Sequence, residues 1–389
     1  MGIGVYADKM PIKFKPNFQI TPEIASLLMR IESAKEKIAP LPISGELLVK
    51  LRETARLFST HYSTMIEGNR LTQEEVEEAI SINRHFPGRE RDEREVRGYY
   101  AALQRMEEWV AKASRVSEQR VQLLHGLLMG DGSLQVKPTP YRDGQNVIRE
   151  AGSRRIIYMP PEASDVAPLM KALIHWIQTA EKTPAPLVAA VTHYQFATIH
   201  PYYDGNGRTA RLLTSYVLHL SGYGLKGLYS LEEYYAQNLG AYYEAISIGP
   251  SHNYYLGRAE ADITGWVNYF CKGMAEAVEK VHSRMHQVSL SVDVDQEALL
   301  RLINPRQRAS LELFYRAQVV TATQIGQFFG LKSRTASGLC QRWSEEGFLE
   351  IVDPSKRGRK YRLAPAFQSL ICGPVLNNTS LSSGSTPLL

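Results

Sequence analysis

The sequence predicts a mainly α-helical fold carrying one β-hairpin, followed by a small domain of mixed α and β structure. Three observations lead there. Over 45–66, Leu47, Leu48, Leu51, Ala55, Phe58, Tyr62 and Ile66 recur at three- and four-residue spacing, the stripe of an amphipathic helix. Two short β-branched runs, 145–149 and 155–159, flank a turn containing Gly152 and Ser153. From 305 to 363, short helix-like and strand-like segments alternate, and the chain's net basic excess lies there.

The elements follow in order. Gly68 reads as the residue just past the first helix, where a left-handed conformation ends helices without a Cβ penalty. Thr72 and Glu75 have the spacing of a capping box for the next helix. His125, within Leu-Leu-His-Gly-Leu-Leu, reads as core. After the hairpin, Pro160-Pro161 precedes a helix near Val166, and 185–199 forms another, rich in Leu, Val, Ala and Phe. Pro201 ends that helix and biases His200 out of the right-handed helical region. A further helix is expected from Thr209 to about 220.

With 389 residues the chain is long enough for a large core and a smaller second one. Its three cysteines, Cys271, Cys340 and Cys372, are widely spaced and form no CxxC, which argues against a disulfide framework or zinc site. A reducing compartment, the cytoplasm, is the expectation. No apolar run reaches membrane-spanning length, and Asp8 and Lys9 interrupt any signal-peptide stretch. Tyr6 stands where a myristoylated Met-Gly start would need Ser or Thr.

The most informative stretch runs from His200 to Arg211: His-Pro-Tyr-Tyr-Asp-Gly-Asn-Gly-Arg-Thr-Ala-Arg. Gly205, Asn206 and Gly207 supply a loop tolerant of positive φ, so successive backbone N–H groups can converge on an anion. The unpaired N–H groups of the following helix, from Thr209 and Ala210 on, point at the same spot. Arg208 and Arg211 lie three apart, on one face of that first turn. Cations there oppose the helix dipole, and two of them make sense if a polyanion such as phosphate sits between. Taken singly, a His before a Pro, an Asp-Gly turn or two exposed arginines would mean little; their order and spacing carry the reading.

This string resembles the signature of the Fic (filamentation induced by cAMP) family, HPFx[D/E]GNGRxxR, departing from it only at Tyr202, which keeps the ring. The resemblance implies a Fic-type helical core that transfers AMP from ATP to a Ser, Thr or Tyr hydroxyl of a target protein. His200 would then be the general base and Asp204 the ligand of Mg²⁺ between phosphates. Asn206 and the N–H groups of Gly205 and Gly207 would cradle the α- and β-phosphates, with Thr209 and Ala210 beside them, and Arg208 and Arg211 would hold the β- and γ-phosphates. The hairpin resembles the Fic flap, which aligns the target by strand addition; by position Val147 and Ile148 would touch the nucleotide. Tyr242 and Tyr243 resemble a Tyr-Tyr pair near adenine, although aromatic pairs on helices are often core.

Upstream, Ser63-Thr64-Met65-Ile66-Glu67-Gly68 ends the first amphipathic helix with a carboxylate, which the helix dipole disfavours there. It resembles the inhibitory motif [S/T]xxxE[G/N] of Fic proteins whose inhibitory helix precedes the core. By that likeness Glu67, with Ser63 and Gly68 in the motif, would pair with Arg211 and block placement of the γ-phosphate. The bland alternative is a solvated glutamate at a helix end.

Between 301 and 363 there are twelve Lys and Arg against five Asp and Glu, a net of +7. The remainder holds 33 basic and 35 acidic residues, so the whole excess of +5 lies in this stretch. Its order is helix (305–317), helix (323–329), a turn at Gly330, helix (333–346), strand (348–352), a basic turn (353–360) and a strand to 363. That is the order of a winged helix. Arg334, Thr335, Ser337, Gln341 and Arg342 on the third helix could reach phosphates or base edges of duplex DNA. Lys356, Arg357, Arg359 and Lys360 would form the wing. Winged helices also serve as protein-interaction modules, and a charged loop can simply be solvated.

The expected organisation is an N-terminal segment (1–44), a Fic catalytic domain (45–292) with its inhibitory helix near 45–68, a linker (293–304), a winged helix (305–365) and a disordered tail (373–389). The function expected is a protein adenylyltransferase held back through Glu67. Rival readings are a DNA-binding regulator whose core senses ATP, an enzyme that removes AMP from modified targets, and transfer of another nucleotide. Homo-oligomerisation is left open.

Overall fold

The computed structural model describes residues 13–38, 45–149, 155–248, 252–291, 299–353, 355, 359–368 and 370–371. The chain divides into two compact units, 1–40 with 51–284, and 41–50 with 285–389.

The first unit is almost wholly helical. It comprises α1 (Pro22–Ile38), α2 (Gly45–Ile66) from Leu51 on, α3 (Gln73–Ser81), α4 (Glu90–Ala111), α5 (Glu118–Leu128), β1 (Ile148–Arg149), β2 (Ile156–Tyr158), α6 (Ala163–Thr179), α7 (Ala185–Ile199), α8 (Asn206–Leu218), α9 (Leu231–Gln237), α10 (Leu239–Ile246) and α11 (Thr264–Ser291) as far as Arg284. At its centre lies α7, buried along nearly its whole length, as a helix apolar on every side must be. It packs against α6 and α8, and α8 in turn meets α4 and α5. Trp266 of α11, fully buried, donates its indole N–H to the Ala190 carbonyl at 2.8 Å and ties α11 to α7.

Local signals set the helix ends. Thr72 and Glu75 form the expected capping box. Gly68 takes φ +92°, and the N–H groups of Gly68 and Asn69 donate to the Met65 and Thr64 carbonyls, the paired bonds of a Schellman end. The hairpin is shorter than expected: β1 and β2 pair antiparallel, Ile148 opposite Tyr158, with an irregularity after Ile148. Its turn, including Gly152 and Ser153, lies outside the described residues.

The 1–44 segment contains a helix that the periodicity reading passed over. Ile24, Leu27, Ile31, Ala34 and Ile38 of α1 are buried, and the Thr21 hydroxyl caps it by accepting from the Ile24 N–H. The extended stretch before it is tied down as well: the Asn17 carbonyl accepts from Ile263, and the Gln19 N–H donates to the Thr264 hydroxyl. Residues 13–38 are therefore integral to the first unit.

The second unit contains α12 (Pro305–Arg316), β3 (Val320–Thr321), α13 (Ala322–Phe329), α14 (Ser333–Glu345), β4 (Leu349–Asp353), β5 (Lys360–Leu363) and α15 (Pro365–Gln368). The strands form one antiparallel sheet in the order β3-β5-β4. Ile325, Cys340, Trp343, Phe348, Tyr361 and Leu363 make its core. Asn304 with Gln307, and Thr321 with Gln324, form capping boxes. Gly330 turns the chain after α13 at φ +64°.

The expected linker is displaced. Residues 299–302 are helical and Ile303 is buried in the second core, so 299–304 belong to that unit, while 293–298 lie outside the described residues. The core also takes in Phe367, Leu370 and Ile371, beyond the expected limit at 365. The tail 373–389 is outside the described residues.

Candidate active site

His200 caps the C-terminus of α7 in a left-handed conformation, φ 52° and ψ 59°. For a residue bearing Cβ this costs on the order of 1–3 kcal/mol. Pro201 excludes the right-handed alternative, but the extended conformation it ordinarily favours is not adopted. The half-buried ring lies with Nδ1 3.3 Å from the Ala197 carbonyl. With Nδ1–H donating there, Nε2 is left as an acceptor. Burial, and to a smaller extent the nearby Arg142 cation, pull the imidazole down to about 4, so it is neutral at pH 7.

The loop after it is braced by its own side chains. Asn206 Oδ1 accepts from the Tyr202 N–H at 2.9 Å, and its Nδ2 donates to the Tyr202 carbonyl at 2.8 Å. The Asn206 amide thereby braces the loop. The helix also begins earlier than expected, at Asn206, so Gly205 is the only loop glycine with positive φ (+72°) and Gly207 is helical. A Cβ at Gly205 would stand 2.9 Å from Met129 Sδ, and one at Gly207 would overlap Glu67 Oε1. Thr209 and Ala210 are fully buried, and both the N–H and the hydroxyl of Thr209 donate to the Gly205 carbonyl. The N–H groups left without a partner inside the helix belong to the first turn, Asn206 to Arg208.

Tyr202 fills the ring position of the motif from inside. It is 2% exposed and stacks on His125 at 3.6 Å between centroids, while His125 Nε2 lies 3.0 Å from the Asp204 carbonyl. His125 is thus core, as expected, and supports the loop from beneath. Asp204 projects outward, its Oδ1 accepting from the Gly205 N–H and, at 3.4 Å, from Arg208 Nη2. Among the described residues no group of three metal-ligating side chains occurs. One exposed carboxylate suits Mg²⁺ only where phosphate oxygens and water supply the other ligands, which is how that ion is commonly held.

Both motif arginines are 1% exposed. Among the described residues Arg208 Nε and Nη1 have no hydrogen-bond acceptor, and the Glu95 carboxylate stands 3.7 Å from Nη1. Arg211 is fully engaged by α2: Nε donates to Ser63 Oγ, and Nη2 donates to the Ser63 carbonyl and to Glu67 Oε1, each at 2.8 Å. The adjacent Glu67 carboxylate keeps the guanidinium above its ordinary value despite burial. Gly68 sets the turn that leaves Glu67 at this point.

The two tyrosines separate. Tyr243 is 45% exposed beside the end of α2, its hydroxyl donating to the Ile66 carbonyl at 3.3 Å. Tyr242 is 3% exposed, stacked on Tyr235 with its hydroxyl 3.0 Å from His193 Nε2. Its ring packs in the core of the unit. Val147 and Ile148 are half-buried at the hairpin stem, and the Tyr158 hydroxyl pins β2 to the Thr198 carbonyl of α7.

Sequence reasoning missed Arg142 and Asn146. Arg142, 4% exposed, donates to the carbonyls of His200 (3.0 Å), Gly144 (2.9 Å) and Pro161. Asn146 Nδ2 donates to the Tyr202 carbonyl at 3.1 Å. A lone Arg in a polar stretch gives no periodicity or spacing signal, so nothing short of the fold picks it out.

In the second unit, Arg334, Thr335, Ser337, Gln341 and Arg342 are exposed on α14, opposite the buried Ala336, Cys340 and Trp343. Lys360 is exposed at the start of β5 and Arg359 half-buried, while Lys356 and Arg357 lie outside the described residues. Cys271 and Cys340 are buried free thiols. Among the described residues no helix is long and apolar enough to cross a membrane.

The central helix of this unit ends in a histidine and the next opens with two buried arginines, and residues 115–218, which hold both, match the Fic/DOC family model. The chain carries a Fic/DOC domain over those residues. It is 27% identical over 218 residues to a protein adenylyltransferase Fic of Drosophila mojavensis, covering 53% of this chain and 41% of that protein. With the Nematostella vectensis protein of the same name, identity is 26% over 203 residues, covering 51% and 45%. The chain thus spans less than half the length of these curated relatives. Among solved structures, a Fic family protein from Desulfovibrio desulfuricans G20 is similar with a TM-score of 0.59 and 25% identity, over 90% of this chain and 99% of that one. A Fic domain containing signaling protein from Bacteroides thetaiotaomicron shares the fold, TM-score 0.56 at 20% identity, over 67% of this chain and 97% of that one.

Proposed function

We propose that the first unit transfers AMP from ATP to a hydroxyl side chain of a target protein, and that Glu67 holds it back. The observation that carries the reading is the pair of buried arginines at the start of α8. Arg208 carries two guanidinium nitrogens without an acceptor among the described residues, and Arg211 is neutralised from outside its own helix by Glu67. Buried cations at a helix N-terminus oppose the dipole and suit a polyanion. The relatives named protein adenylyltransferase agree with this reading.

In this reading the N–H groups at the start of α8 cradle the α- and β-phosphates and Arg208 holds the β- and γ-phosphates, with Val147, Ile148 and Tyr243 beside the nucleotide. Asp204 would hold Mg²⁺ against the phosphates, where the ion adds neutralising charge. His200 Nε2 takes the proton of the target hydroxyl as its oxygen attacks the α-phosphorus; the Pα–O bond to the β-phosphate breaks and pyrophosphate leaves. Positioned donors and cations stabilise the charge that develops on the phosphoryl oxygens. Glu67, bonded to Arg211, occupies the guanidinium that would receive the γ-phosphate.

ATP labelled at the α-phosphate and incubated with lysate and the Glu67→Gly chain tests this. Label should appear on protein and vanish with His200→Ala, at a cost of about 10²–10⁴-fold, while ATP binding is retained. ATP binding without transfer would instead support a nucleotide sensor, and release of AMP from premodified protein would support the reverse reaction.

For the second unit we infer a winged helix that contacts duplex DNA, α14 being its recognition helix and residues 353–360 its wing. The net charge of +7 over 301–363 and the polar exposed face of α14 favour DNA over a protein partner.

A further inference from the structure

Arg142 is a buried cation whose hydrogen bonds, among the described residues, all go to backbone carbonyls. Its three acceptors come from separate places: His200 at the end of α7, and Gly144 and Pro161 on the two sides of the hairpin stem. Its own N–H donates to the Pro201 carbonyl at 2.9 Å, so backbone and side chain together grip the His200–Pro201 peptides. Among the described residues no carboxylate lies within ion-pair distance of it, and burial pulls the guanidinium below its ordinary value. Burying such a charge costs several kcal/mol unless its hydrogen bonds are well made. An apolar side chain would fill the space at less cost, but it could not join three carbonyls in one plane. The guanidinium fork can.

The other half of the grip is the conformation it secures. His200 sits in the left-handed region although it is not glycine, a state that persists only where the surroundings over-determine it. Arg142 bonds to the His200 carbonyl itself, the atom that reports ψ of the strained residue. Tyr158 adds a second tie between hairpin and helix through the Thr198 carbonyl. Two side chains, Arg142 and Tyr158, therefore tie the hairpin stem to the end of α7.

We propose that Arg142 is the positioning residue of the site: it locks the left-handed His200 backbone to the hairpin stem, so that the imidazole keeps a fixed place and tautomer relative to any chain laid along the hairpin. This rests on the reading of His200 as the base. The histidine ring faces Arg142, Glu67 and Asp204 among charged groups, with the Ala197 carbonyl at Nδ1.

The test has an arm that needs no activity. In ¹⁵N-histidine-labelled full-length chain, with His200→Asn to assign the signal, the His200 ring should show one tautomer, protonated at Nδ1. In Arg142→Gln its two nitrogen shifts should move toward the average of mixed tautomers. In the Glu67→Gly background, Arg142→Gln should lower kcat about 10²-fold, the scale on which an ångström of misplacement acts, with KM for ATP within twofold. Arg142→Lys, which keeps the charge but reaches fewer carbonyls, should fall between the two in both arms and serves if the Gln variant does not fold. An unchanged His200 signal in a folded Arg142 variant overturns the proposal, as does a loss confined to ATP binding. If neither the parent nor any variant transfers AMP, the proposed activity fails, while the tautomer measurement still decides the role of Arg142.

Discussion

Arg211 and Glu67, 144 positions apart in the chain, meet at 2.8 Å across the start of α8 and the end of α2. The pair is asymmetric. Arg211 is sealed at 1% side-chain exposure and Glu67 reaches the surface at 29%. Removing the partner of a buried charge costs about 3–5 kcal/mol, because the charge is left uncompensated. Glu67→Gly should therefore lower the melting temperature, and ATP should restore it more strongly than in the parent, since a phosphate can replace the carboxylate and binding to the folded state stabilises by mass action. The same variant should raise AMP transfer, and Arg211→Ala should cancel the gain as expected of residues sharing one site. Thermal unfolding with and without ATP, beside a labelling assay, checks both. A Glu67→Gly chain no faster than its parent on any acceptor, itself included, would return Glu67 to a plain helix-end carboxylate.

Acid should destabilise the first unit before its carboxylates titrate. Burial pulls His125 down to about 4 and His193 to about 3, while an unfolded histidine titrates near 6.5. Because the folded values are depressed, the unfolded chain binds more protons between these limits. Stability is then fully present above about 6.5 and lost as pH falls toward 4. On the order of 2 kcal/mol per histidine is gone by pH 5. Melting temperatures at pH 7.5 and pH 5 should differ by several degrees, and the difference should shrink in His193→Phe. Equal melting temperatures would contradict the burial of these rings.

Tyr202 carries a hydroxyl that finds no partner in the core, although the ring is stacked on His125. An unsatisfied buried hydroxyl costs about 1–3 kcal/mol. Tyr202→Phe should leave the site geometry intact and raise the melting temperature by a few degrees. Calorimetry reads this directly; a loss of stability would mean that the hydroxyl has a partner after all.

If the second unit reads DNA, the affinity of the full chain for duplex should fall steeply with salt through counterion release. Replacing Lys356, Arg357, Arg359 and Lys360 by Gln should flatten the dependence of log K on log salt, by roughly one unit for each phosphate that is no longer neutralised. Fluorescence anisotropy over a salt series measures the slope. No binding at low salt would favour a protein partner for this unit.

The sequence by itself determined the helix stripe of α2, the capping box at Thr72, the Schellman end at Gly68 and the motif that gathers His200, Asp204 and the two arginines. These were legible because their causes are local: periodicity, N–H groups awaiting a cap, and residues within one loop and one turn. It also separated a basic C-terminal unit from the rest by charge alone. Only the tertiary structure decided that Asn206 braces the loop, that Tyr242 faces the core, that α1 and residues 299–303 belong to the packed units, and that Arg142 joins His200 to the hairpin. Each of these depends on which groups are brought together from distant parts of the chain. A side chain that can equally serve phosphate, solvent or a neighbouring carbonyl has its role settled by the acceptor that burial places within about 3 Å, and no spacing along the chain encodes that.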